Sequence, residues 1–492
     1  MKYIISLCCK NCDELKKKLK RSFKESDLVE SRIDNIPQFD ISWIKGFDLK
    51  RIIITLRSKR NGGFFKGSEK QRIEILKTFL NKVGYIDIEY NIQEEELKWF
   101  LDNRKTTKII LSYHNFKETP ANLENVIKKL IKQKANIIKI ISTGRDIIDN
   151  VKIFSLISKY KRKTKLIMHN MGESGEISRI IGGVTGNEFT YASFDDEPVA
   201  TGQISIKKLK HEYYLDRIKK EFKIVGLLGN PIKQSYSYHI HNYAFHASRL
   251  NYLYLNFLVD DLGKFFNFYK EMFVGLSVTL PYKIAVMSFL DEVSESAKLT
   301  GAVNTIVKVG KKLCGYNTDL AGFGYALSRH SRLTDKNVVL LGAGALARSV
   351  IVELLDRKKH GMVNSITILN RTLNKAKKLA REFNCQYGPL EDIKHFTPDI
   401  LINCTSVGMY PNINQSPIGN TGLKNCLVFD TVYNPYHTKL LKDAIKNGNK
   451  VVPGFDMFLK QAELQYRLFT SSRFDFIKHK KLFIKRCGIY EN

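Results

Sequence analysis

The stretch Ile137-Ile138-Lys139-Ile140-Ile141 places a single lysine inside an otherwise apolar run. A short apolar run of this kind is typical of a β-strand that is covered on both faces. In such a strand, burial disfavours the ammonium form and lowers the pKa of a lysine, so that Lys139 would be a nucleophilic amine. A half-exposed strand with Lys139 pointing to water fits the same letters. The run alone leaves both interpretations open.

Runs with β-strand character recur around this stretch. They cover residues 3–9, 28–33, 51–57, 85–89, 108–114, 137–142, 165–170 and 189–193. Stretches with a helical pattern, such as Asn122–Lys134 and Ile147–Lys159, lie between them. Eight strand-plus-helix units in a segment of this length predict an α/β fold, a (β/α)8 barrel, which we assign to residues 1–210.

Polar side chains collect at the C-terminal ends of these predicted strands. In (β/α)8 barrels that rim carries the chemistry, because the loops converge there on one mouth. The pattern holds on five successive predicted strands, which favours a functional rim over solvated loops. The residues concerned are Glu30, Arg32, Arg57, Glu89, His114 and Lys139.

The chemistry that fits this rim begins with the lysine. A neutral lysine attacks a ketone to form an imine, and the protonated imine assists removal of a proton from the adjacent carbon. His114 ends the strand that precedes the strand of Lys139, and it titrates in the right range to move that proton. Arg32, Arg57 and Arg179 are candidates for binding a substrate carboxylate, although each alone also fits a surface ion pair.

Ordered motifs in the first half give this chemistry a context. They are Glu30-Ser31-Arg32-Ile33-Asp34, Arg57-Ser58, Asp87-Ile88-Glu89, Ser112-Tyr113-His114-Asn115, Ile138-Lys139-Ile140, Ile177-Ser178-Arg179 and Gly202-Gln203-Ile204. Over about residues 2–210 the chain resembles the type I 3-dehydroquinate dehydratases.

That resemblance implies a Schiff base at Lys139, acid and base work by His114 with Glu89 assisting, and loss of water to give 3-dehydroshikimate. Val199 stands where the family usually has serine, so that a hydroxyl contact to the substrate is lost or is supplied otherwise. The resemblance also implies a substrate-binding set, namely Glu30, Arg32, Arg57, Arg179 and Gln203.

The second half has the sequence pattern of a separate two-lobe α/β unit. A charged helical linker is predicted over residues 211–221, and a new strand begins at Phe222. We assign residues 222–330 to a first lobe and residues 331–454 to a Rossmann-type second lobe. Residues 455–492 are predicted to be helical and to return to the first lobe.

A glycine-rich turn marks the second lobe. The strand Asn337–Leu341 runs into Gly342-Ala343-Gly344-Ala345-Leu346-Ala347, a pattern that lets backbone approach a pyrophosphate at a helix N-terminus. The next strand ends in Asn370-Arg371-Thr372, where a site for NAD would usually carry Asp or Glu. Arginine at that point favours NADP, although Arg371 also fits a surface charge.

The first lobe contributes a candidate proton donor pair, Lys283 and Asp319, each of which is an ordinary surface residue in most proteins. Further motifs accompany the pair: Gly229-Asn230-Pro231, Ser235-Tyr236-Ser237, Val278-Thr279, Gly301-Ala302-Val303-Asn304-Thr305, Asn317-Thr318-Asp319, Asn403 to Met409, Asp430 to Pro435 and Gly454 to Gln461. Over about residues 222–475 these motifs are similar to those of shikimate dehydrogenases.

This second resemblance implies catalysis by Lys283 with Asp319. Ser277 and Tyr238 depart from the usual family residues and leave shikimate and quinate open as substrates. The implied substrate set is Ser235, Ser237, Thr279, Asn304, Asp319, Tyr433 and Gln461. The implied cofactor set is Gly342, Ala343, Gly344, Ala345, Ala347, Asn370, Arg371, Thr372, Thr405 and Gly454.

Composition limits the remaining options. The net charge of +31 favours anionic partners, but the lysines are spread over the chain and no nucleic-acid module is recognisable. Eight scattered cysteines fit reduced thiols in a cytoplasmic protein, and Cys9-x-x-Cys12 lacks a second pair, so we assign no metal. No uncharged run approaches the ~18 residues that a membrane span needs.

We therefore predict a bifunctional enzyme that dehydrates 3-dehydroquinate through a lysine imine and reduces 3-dehydroshikimate to shikimate with NADPH. Its partners are small carboxylates, with neither nucleic acid nor membrane among them. Two alternatives stay open: an imine-forming lyase fused to a quinate dehydrogenase, and a degenerate, basic binding or scaffold protein.

Overall fold

The computed structural model describes residues 2–37, 39–195, 197–329, 334–419 and 422–489. The chain forms two compact units, which divide between Phe222 and Lys223, with Leu258–Phe268 grouped with the first unit.

The first unit is built on eight parallel strands that curl into a near-closed barrel. Their order in the sheet is β7-β6-β5-β4-β3-β2-β1-β8, as predicted for a (β/α)8 fold. The strands are β1 (Tyr3–Leu7), β2 (Leu28–Arg32), β3 (Ile52–Thr55), β4 (Tyr85–Glu89), β5 (Lys108–His114), β6 (Ile137–Thr143), β7 (Leu166–Met171) and β8 (Thr190–Ser193).

Helices follow all but one of these strands. The exception is the connection from β2 to β3, whose described residues form only short 3-10 turns at Ile33–Asn35, Ile41–Ile44 and Leu49–Arg51. The helices are α1 (Cys12–Glu25), α2 (Glu69–Lys77), α3 (Glu94–Asn103), α4 (Leu123–Lys132), α5 (Asp149–Tyr160), α6 (Glu176–Thr185) and α7 (Ile206–His211).

The interior of the barrel is layered. An apolar cluster that contains Ile4, Leu28, Ile53, Ile110, Ile137, Ile167, Phe189 and Tyr191, with Tyr85 against it, fills the barrel. Because strand side chains alternate, the residue two positions further along each strand also faces inward. Those next positions are largely polar, and Ile137 of the cluster is followed in this way by Lys139. An apolar layer, which we call the apolar floor, therefore lies beneath a polar layer that is nearer the C-terminal ends of the strands.

The first lobe of the second unit contains a mixed sheet in the order β10-β9-β11-β13-β14-β12. Its strands are β9 (Lys223–Gly229), β10 (Tyr252–Leu258), β11 (Gly275–Val278), β12 (Glu292–Val293), β13 (Thr305–Val309) and β14 (Lys312–Tyr316). The helices in this stretch are α8 (Ser237–Ala247), α9 (Leu262–Tyr269), α10 (Glu295–Thr300) and α11 (Asp319–Ser328), with a 3-10 turn at Ala285–Phe289.

The second lobe is a parallel sheet in the order β17-β16-β15-β18-β19-β20, which is the Rossmann order 3-2-1-4-5-6. The order reverses between β15 and β18, the point where such sheets bind ligands. The strands are β15 (Lys336–Leu341), β16 (Val363–Asn370), β17 (Gln386–Pro389), β18 (Ile400–Asn403), β19 (Leu427–Asp430) and β20 (Lys450–Pro453). The helical segments are α12 (Ala345–Lys359), α13 (Leu373–Phe383), a 3-10 helix (Leu390–His395) and α14 (Lys439–Lys446).

Two C-terminal helices, α15 (Phe455–Thr470) and α16 (Lys480–Arg486), follow the Rossmann sheet. Helix α15 packs against α11, α8 and β13, and α16 packs against α8. The chain thus returns to the first lobe after it has completed the second.

The predicted helical linker at residues 211–221 is wrong in its secondary structure. Helix α7 ends at His211, and the segment that follows contains only a 3-10 turn at Leu215–Arg217. Tyr213 and Leu215 are buried, at 2% and 1% exposure, so that packing of these two side chains overrides the helical propensity of the charged residues around them.

The layered packing of β6 leads to a stability prediction. Ile140 is fully buried on the strand that carries Lys139 and faces away from the barrel interior. Replacing Ile140 by Ala should cost about 3 kcal/mol of unfolding free energy, because it leaves a cavity against the surrounding helices. Replacing it by Val should cost about 1 kcal/mol. Urea unfolding of each variant, monitored through the enzymatic activity of the barrel, measures the two losses of unfolding free energy. Equal losses in the Ala and Val variants would contradict the packing described here.

Candidate active sites

The centre of the barrel holds a lysine between two carboxylates. Lys139 Nζ lies 3.2 Å from Glu30 Oε1 and 3.1 Å from Asp87 Oδ2, and 4.1 Å from the centre of the Tyr191 ring. Lys139 is 5% exposed, so the strand is covered on both faces and the lysine does not point to water. The sequence pattern of the strand does not show that these two carboxylates contact the lysine, because they lie on β2 and β4.

Both carboxylates are themselves held in place. Ser6 Oγ and Thr55 Oγ1 donate hydrogen bonds to Glu30, at 2.7 and 2.9 Å. Burial raises the pKa of Glu30, but Lys139, Arg32 and the hydrogen bond from Ser6 together outweigh it and leave the pKa below its ordinary value. For Asp87, burial is likewise outweighed by Arg57 and then Lys139, which hold its pKa well below the usual range. Both groups are therefore anionic at neutral pH.

His114 lies at the end of β5 with its ring stacked on Phe116, at 5.9 Å between centroids. Burial lowers the pKa of His114 well below 6.5, and the charges of Arg57 and Lys139 act in the same direction. The imidazole is thus neutral near pH 7. Its buried Nδ1 has no hydrogen-bond partner among the described residues. A neutral ring with an open nitrogen is able to accept a proton.

The three predicted arginines fall into two groups. Arg57 pairs with Asp87 at 3.0 Å, and Arg32 forms a two-pronged pair with Asp34 at 2.8 Å for both bonds. Arg179 is different: its Nη2 donates only to the Thr201 carbonyl at 3.3 Å, and its buried Nε has no partner in the part of the chain that the structure describes. Burial lowers the pKa of Arg179 to about 10.

Among the described residues, no hydrogen bond joins Glu89 to His114. The Glu89 carboxylate accepts hydrogen bonds from Ser58 N, Ser58 Oγ and Asn61 Nδ2, at 2.7 to 2.9 Å. It therefore anchors the loop after β3. Asp87, two residues earlier on the same strand, is the carboxylate beside Lys139, and the alternation within Asp87-Ile88-Glu89 was the available signal.

Gln203 and Val199 occupy the loop after β8. Gln203 Oε1 accepts a hydrogen bond from Val199 N at 2.8 Å. Val199 lines a cavity of about 320 Å³ together with Ser6, Cys8, Arg32 and others of that rim. Its aliphatic side chain offers no hydrogen-bond donor there.

In the second unit, one cavity of about 1000 Å³ gathers the predicted dehydrogenase residues from both lobes. Ala347 alone among them does not line the cavity. It is fully buried in the core between α12 and the sheet, because the third small position of the glycine pattern serves close helix packing. The lining residues include Ser235, Ser237, Thr279, Lys283, Asn304, Asp319, Gly342, Ala343, Gly344, Ala345, Asn370, Arg371, Thr372, Thr405, Tyr433, Gly454 and Gln461.

Lys283 and Asp319 form a close ion pair at the first-lobe side of this cavity. Lys283 Nζ lies 2.5 Å from Asp319 Oδ2. Asp319 is 5% exposed, while Lys283 is only partly buried and faces the cavity. The start of helix α11 fixes Asp319, because Asn317 Oδ1 accepts a hydrogen bond from the Asp319 amide at 3.1 Å. The pair therefore has a lysine proton directed at whatever the cavity binds.

Polar groups surround this pair and form hydrogen bonds with one another. Ser235 Oγ donates to Ser237 Oγ at 3.1 Å. The Asn304 amide donates to Thr318 Oγ1 at 2.9 Å and approaches Gln461 Oε1 at 3.5 Å. Such a set can bind several hydroxyl groups and one carboxylate.

Two further residues shape the wall of the cavity. Tyr433 stacks on Phe458 with 4.1 Å between ring centres, and burial raises its pKa to about 12, so it stays a hydroxyl donor. Ser277, which departs from the family pattern, donates a hydrogen bond to Gln465 at 2.8 Å. Gln465 lines the cavity, so Ser277 supports the cavity wall.

The glycine loop fits a dinucleotide. Gly342 has φ of +103°, and a Cβ there would come within 2.9 Å of the Thr405 methyl group. A Cβ on Gly344 would meet no protein atom within 4 Å, so the space opposite the start of α12 is open. Arg371 is exposed on the cavity rim with Lys375 close by in sequence. This donor set suits a pyrophosphate and a ribose 2′-phosphate.

Family models match the chain in sequence order. Type I 3-dehydroquinase matches residues 3–220, the shikimate dehydrogenase substrate binding domain matches residues 227–306, and shikimate / quinate 5-dehydrogenase matches residues 325–424. The chloroplastic bifunctional 3-dehydroquinate dehydratase/shikimate dehydrogenase of Arabidopsis thaliana is 35% identical over 484 residues, which cover 90% of this chain and 78% of that protein.

The chain belongs to the bifunctional 3-dehydroquinate dehydratase/shikimate dehydrogenase family. It combines a lyase and an NADP-dependent oxidoreductase of the shikimate pathway, and this confirms the fold class and function predicted from sequence.

Single-function relatives match the second unit. A shikimate dehydrogenase (NADP(+)) of Alkaliphilus oremlandii is 42% identical over 290 residues, 54% of this chain and 99% of that protein. A shikimate dehydrogenase solved in complex with NADP+ is 36% identical, with a TM-score of 0.50, and covers 55% of this chain and 97% of that structure. Among the described residues of this family member, no helix is long and apolar enough to cross a membrane.

Arg371 yields a prediction about cofactor choice. Arg371→Ala should weaken NADPH binding roughly tenfold and leave NADH binding unchanged, because only NADPH carries the 2′-phosphate. Titration of nicotinamide fluorescence measures both affinities. Arg381→Ala, on the helix α13 that follows Arg371 and outside the cavity lining, is the matched control and should change neither. An equal loss for the two cofactors in Arg371→Ala would contradict the assignment.

Proposed function

We propose that the barrel dehydrates 3-dehydroquinate through an imine between the substrate ketone and Lys139. The observation that carries this proposal is the buried contact of Lys139 Nζ with Glu30 and Asp87. The two carboxylates hold the amine in one position, and either is able to take its proton as the carbonyl approaches. Once the imine forms, the same carboxylates stabilise its positive charge.

In this proposal His114 moves the remaining protons. Its neutral ring accepts the proton from the carbon next to the imine and returns a proton to the departing hydroxyl. The carbon–hydrogen and carbon–oxygen bonds break, water leaves, and a carbon–carbon double bond forms. Water then hydrolyses the imine and frees Lys139.

We propose that Arg179 binds the substrate carboxylate, together with Gln203 of the loop after β8. Arg179 is supported by its buried, unpartnered Nε. Arg57 and Arg32 are satisfied by Asp87 and Asp34, so we propose that they stabilise the site's acidic groups and leave the carboxylate to Arg179.

Lys139→Ala should lower dehydration by roughly 10⁴-fold or more while sparing the reduction of 3-dehydroshikimate by NADPH, because the two activities use separate units. Absorbance of the enone product and of NADPH, respectively, follows the two reactions. In the wild type, borohydride with substrate should leave a covalent adduct on the peptide that contains Lys139.

Ile140→Val is the matched control, since it keeps the strand and the lysine, and it should retain both activities. An adduct on another lysine, or dehydration that survives in Lys139→Ala, would refute the imine.

We propose that the second unit reduces the ketone of 3-dehydroshikimate, with Lys283 Nζ giving the proton that the carbonyl oxygen takes up. Asp319 orients the lysine through their 2.5 Å contact, and solvent restores the proton of the lysine after the product has left. NADPH supplies the hydride when it is bound to the glycine loop and Arg371. Ser235 and Ser237 suit the carboxylate, and other polar residues of the cavity suit the hydroxyls: Thr279, Asn304, Tyr433 and Gln461.

Lys283→Ala should lower kcat for reduction by roughly 10²–10⁴-fold, because it removes the proton donor, and should leave NADPH affinity within twofold. Lys298→Ala, an exposed lysine outside the cavity, serves as control and should match the wild type. A variant with weakened NADPH binding and normal kcat would move Lys283 to a cofactor-binding role. Stopped-flow absorbance with a parallel fluorescence titration separates the two cases.

We further propose that the protein works in a reducing compartment, the cytoplasm. All eight cysteines of the chain are free thiols, which supports this location.

A further inference from the structure

A second histidine faces the barrel interior. His169 lies on β7 two residues after Ile167 of the apolar floor, as Lys139 lies two residues after Ile137 on β6. Because strand side chains alternate, His169 and Lys139 face the same interior space. His169 is 5% exposed. His169 belongs to none of the sequence motifs named above and takes no part in the mechanism proposed for Lys139 and His114.

Tyr191 is a shared neighbour of this ring and of Lys139. The His169 ring centre is 6.4 Å from that of Tyr191, and the Tyr191 ring is 4.1 Å from Lys139 Nζ. In the sheet, His114 and His169 both pair with Ile141, one from each side of β6. The strand that carries the lysine is therefore flanked by two imidazoles at the same level.

The His169 ring has unused hydrogen-bonding capacity. Within the described ranges, neither of its nitrogens has a hydrogen-bond partner. Burial lowers the pKa of His169 well below 6.5, and the positive charges of Arg179, Lys139 and His114 act in the same direction. A neutral ring in positive surroundings offers an N–H to an anion.

The position of Arg179 indicates which anion the His169 N–H would bind, because Arg179 is the residue proposed to bind the substrate carboxylate. The backbone N–H of Asn170 donates a hydrogen bond to Ser178 Oγ at 2.8 Å, which joins β7 to α6 at the residues adjacent to His169 and Arg179. The charge of Arg179 acts on the His169 ring more strongly than that of Lys139. Arg179 also has a buried, unpartnered Nε. The His169 ring N–H and Arg179 Nε are thus two unused donors on adjoining elements, β7 and α6. Val199, across the rim, has no side-chain donor.

We propose that His169 donates a hydrogen bond to the same substrate carboxylate that Arg179 binds, and thereby fixes the position of the substrate ring over Lys139. A carboxylate has an oxygen for each donor. His169 is then a substrate-binding residue of the dehydration site. The inference rests on the proposed dehydration function.

The first test compares two substitutions of His169. His169→Leu removes the donor and should raise KM for 3-dehydroquinate roughly 10- to 100-fold, with kcat within about threefold of wild type. This pattern is expected when the lost hydrogen bond is equally strong in the bound substrate and in the transition state. His169→Gln keeps an N–H and should recover most of the affinity. A KM within twofold of wild type in His169→Leu, or a loss confined to kcat, would overturn the inference. If His169→Leu does not fold, His169→Met carries the same test.

A second test identifies the substrate group. The carboxamide analogue of 3-dehydroquinate should bind the wild type much more weakly than the acid does, and this difference should shrink in the apolar His169 variant. An unchanged difference would overturn the contact to the carboxylate. Borohydride trapping at saturating substrate keeps the two proposals apart, because the adduct at Lys139 forms in the wild type and in the His169 variants if the imine is correct, whatever His169 binds.

Discussion

The interior of the barrel contains a buried lysine and a buried arginine, and each forms an ion pair with at least one carboxylate. Glu30 and Asp87 face Lys139, and Asp87 also faces Arg57, so that the charges balance inside a layer that water barely reaches. Removing one partner of such a group leaves an uncompensated buried charge, which costs several kcal/mol. The hydroxyls of Ser6, Thr55 and Ser112 complete the hydrogen bonding of the layer.

The same balance suits the proposed chemistry. A protonated imine at Lys139 would carry its positive charge between the two carboxylates, which already lie in position to stabilise it. The apolar floor under the layer keeps the local dielectric low and strengthens each of these interactions. His114 and His169 lie nearer the mouth and are neutral, and they leave the charge balance of the layer intact.

Sequence predicted the architecture closely because its signals were local. The bounds of β4 and β5 agree with the predicted runs, and the glycine pattern after β15 lies at the predicted strand-to-helix turn. Side-chain partners were harder to predict, since they depend on which strands meet. Glu89 and Asp87 both face inward on one strand. Only the position of the loop after β3 shows that Glu89 accepts hydrogen bonds from Ser58 and Asn61. The three arginines differ in the same way, through partners that are distant in sequence.

Helix α15 supplies Gln461 to the dehydrogenase cavity and packs on α8 and α11 of the first lobe. More than 100 residues of the Rossmann lobe separate it along the chain from the lobe that it completes. The barrel strands, in contrast, are contiguous, from Tyr3 to Ser193. During synthesis on the ribosome the lyase therefore has all its strands early, whereas the reductase pocket stays open on one side until translation has passed α15.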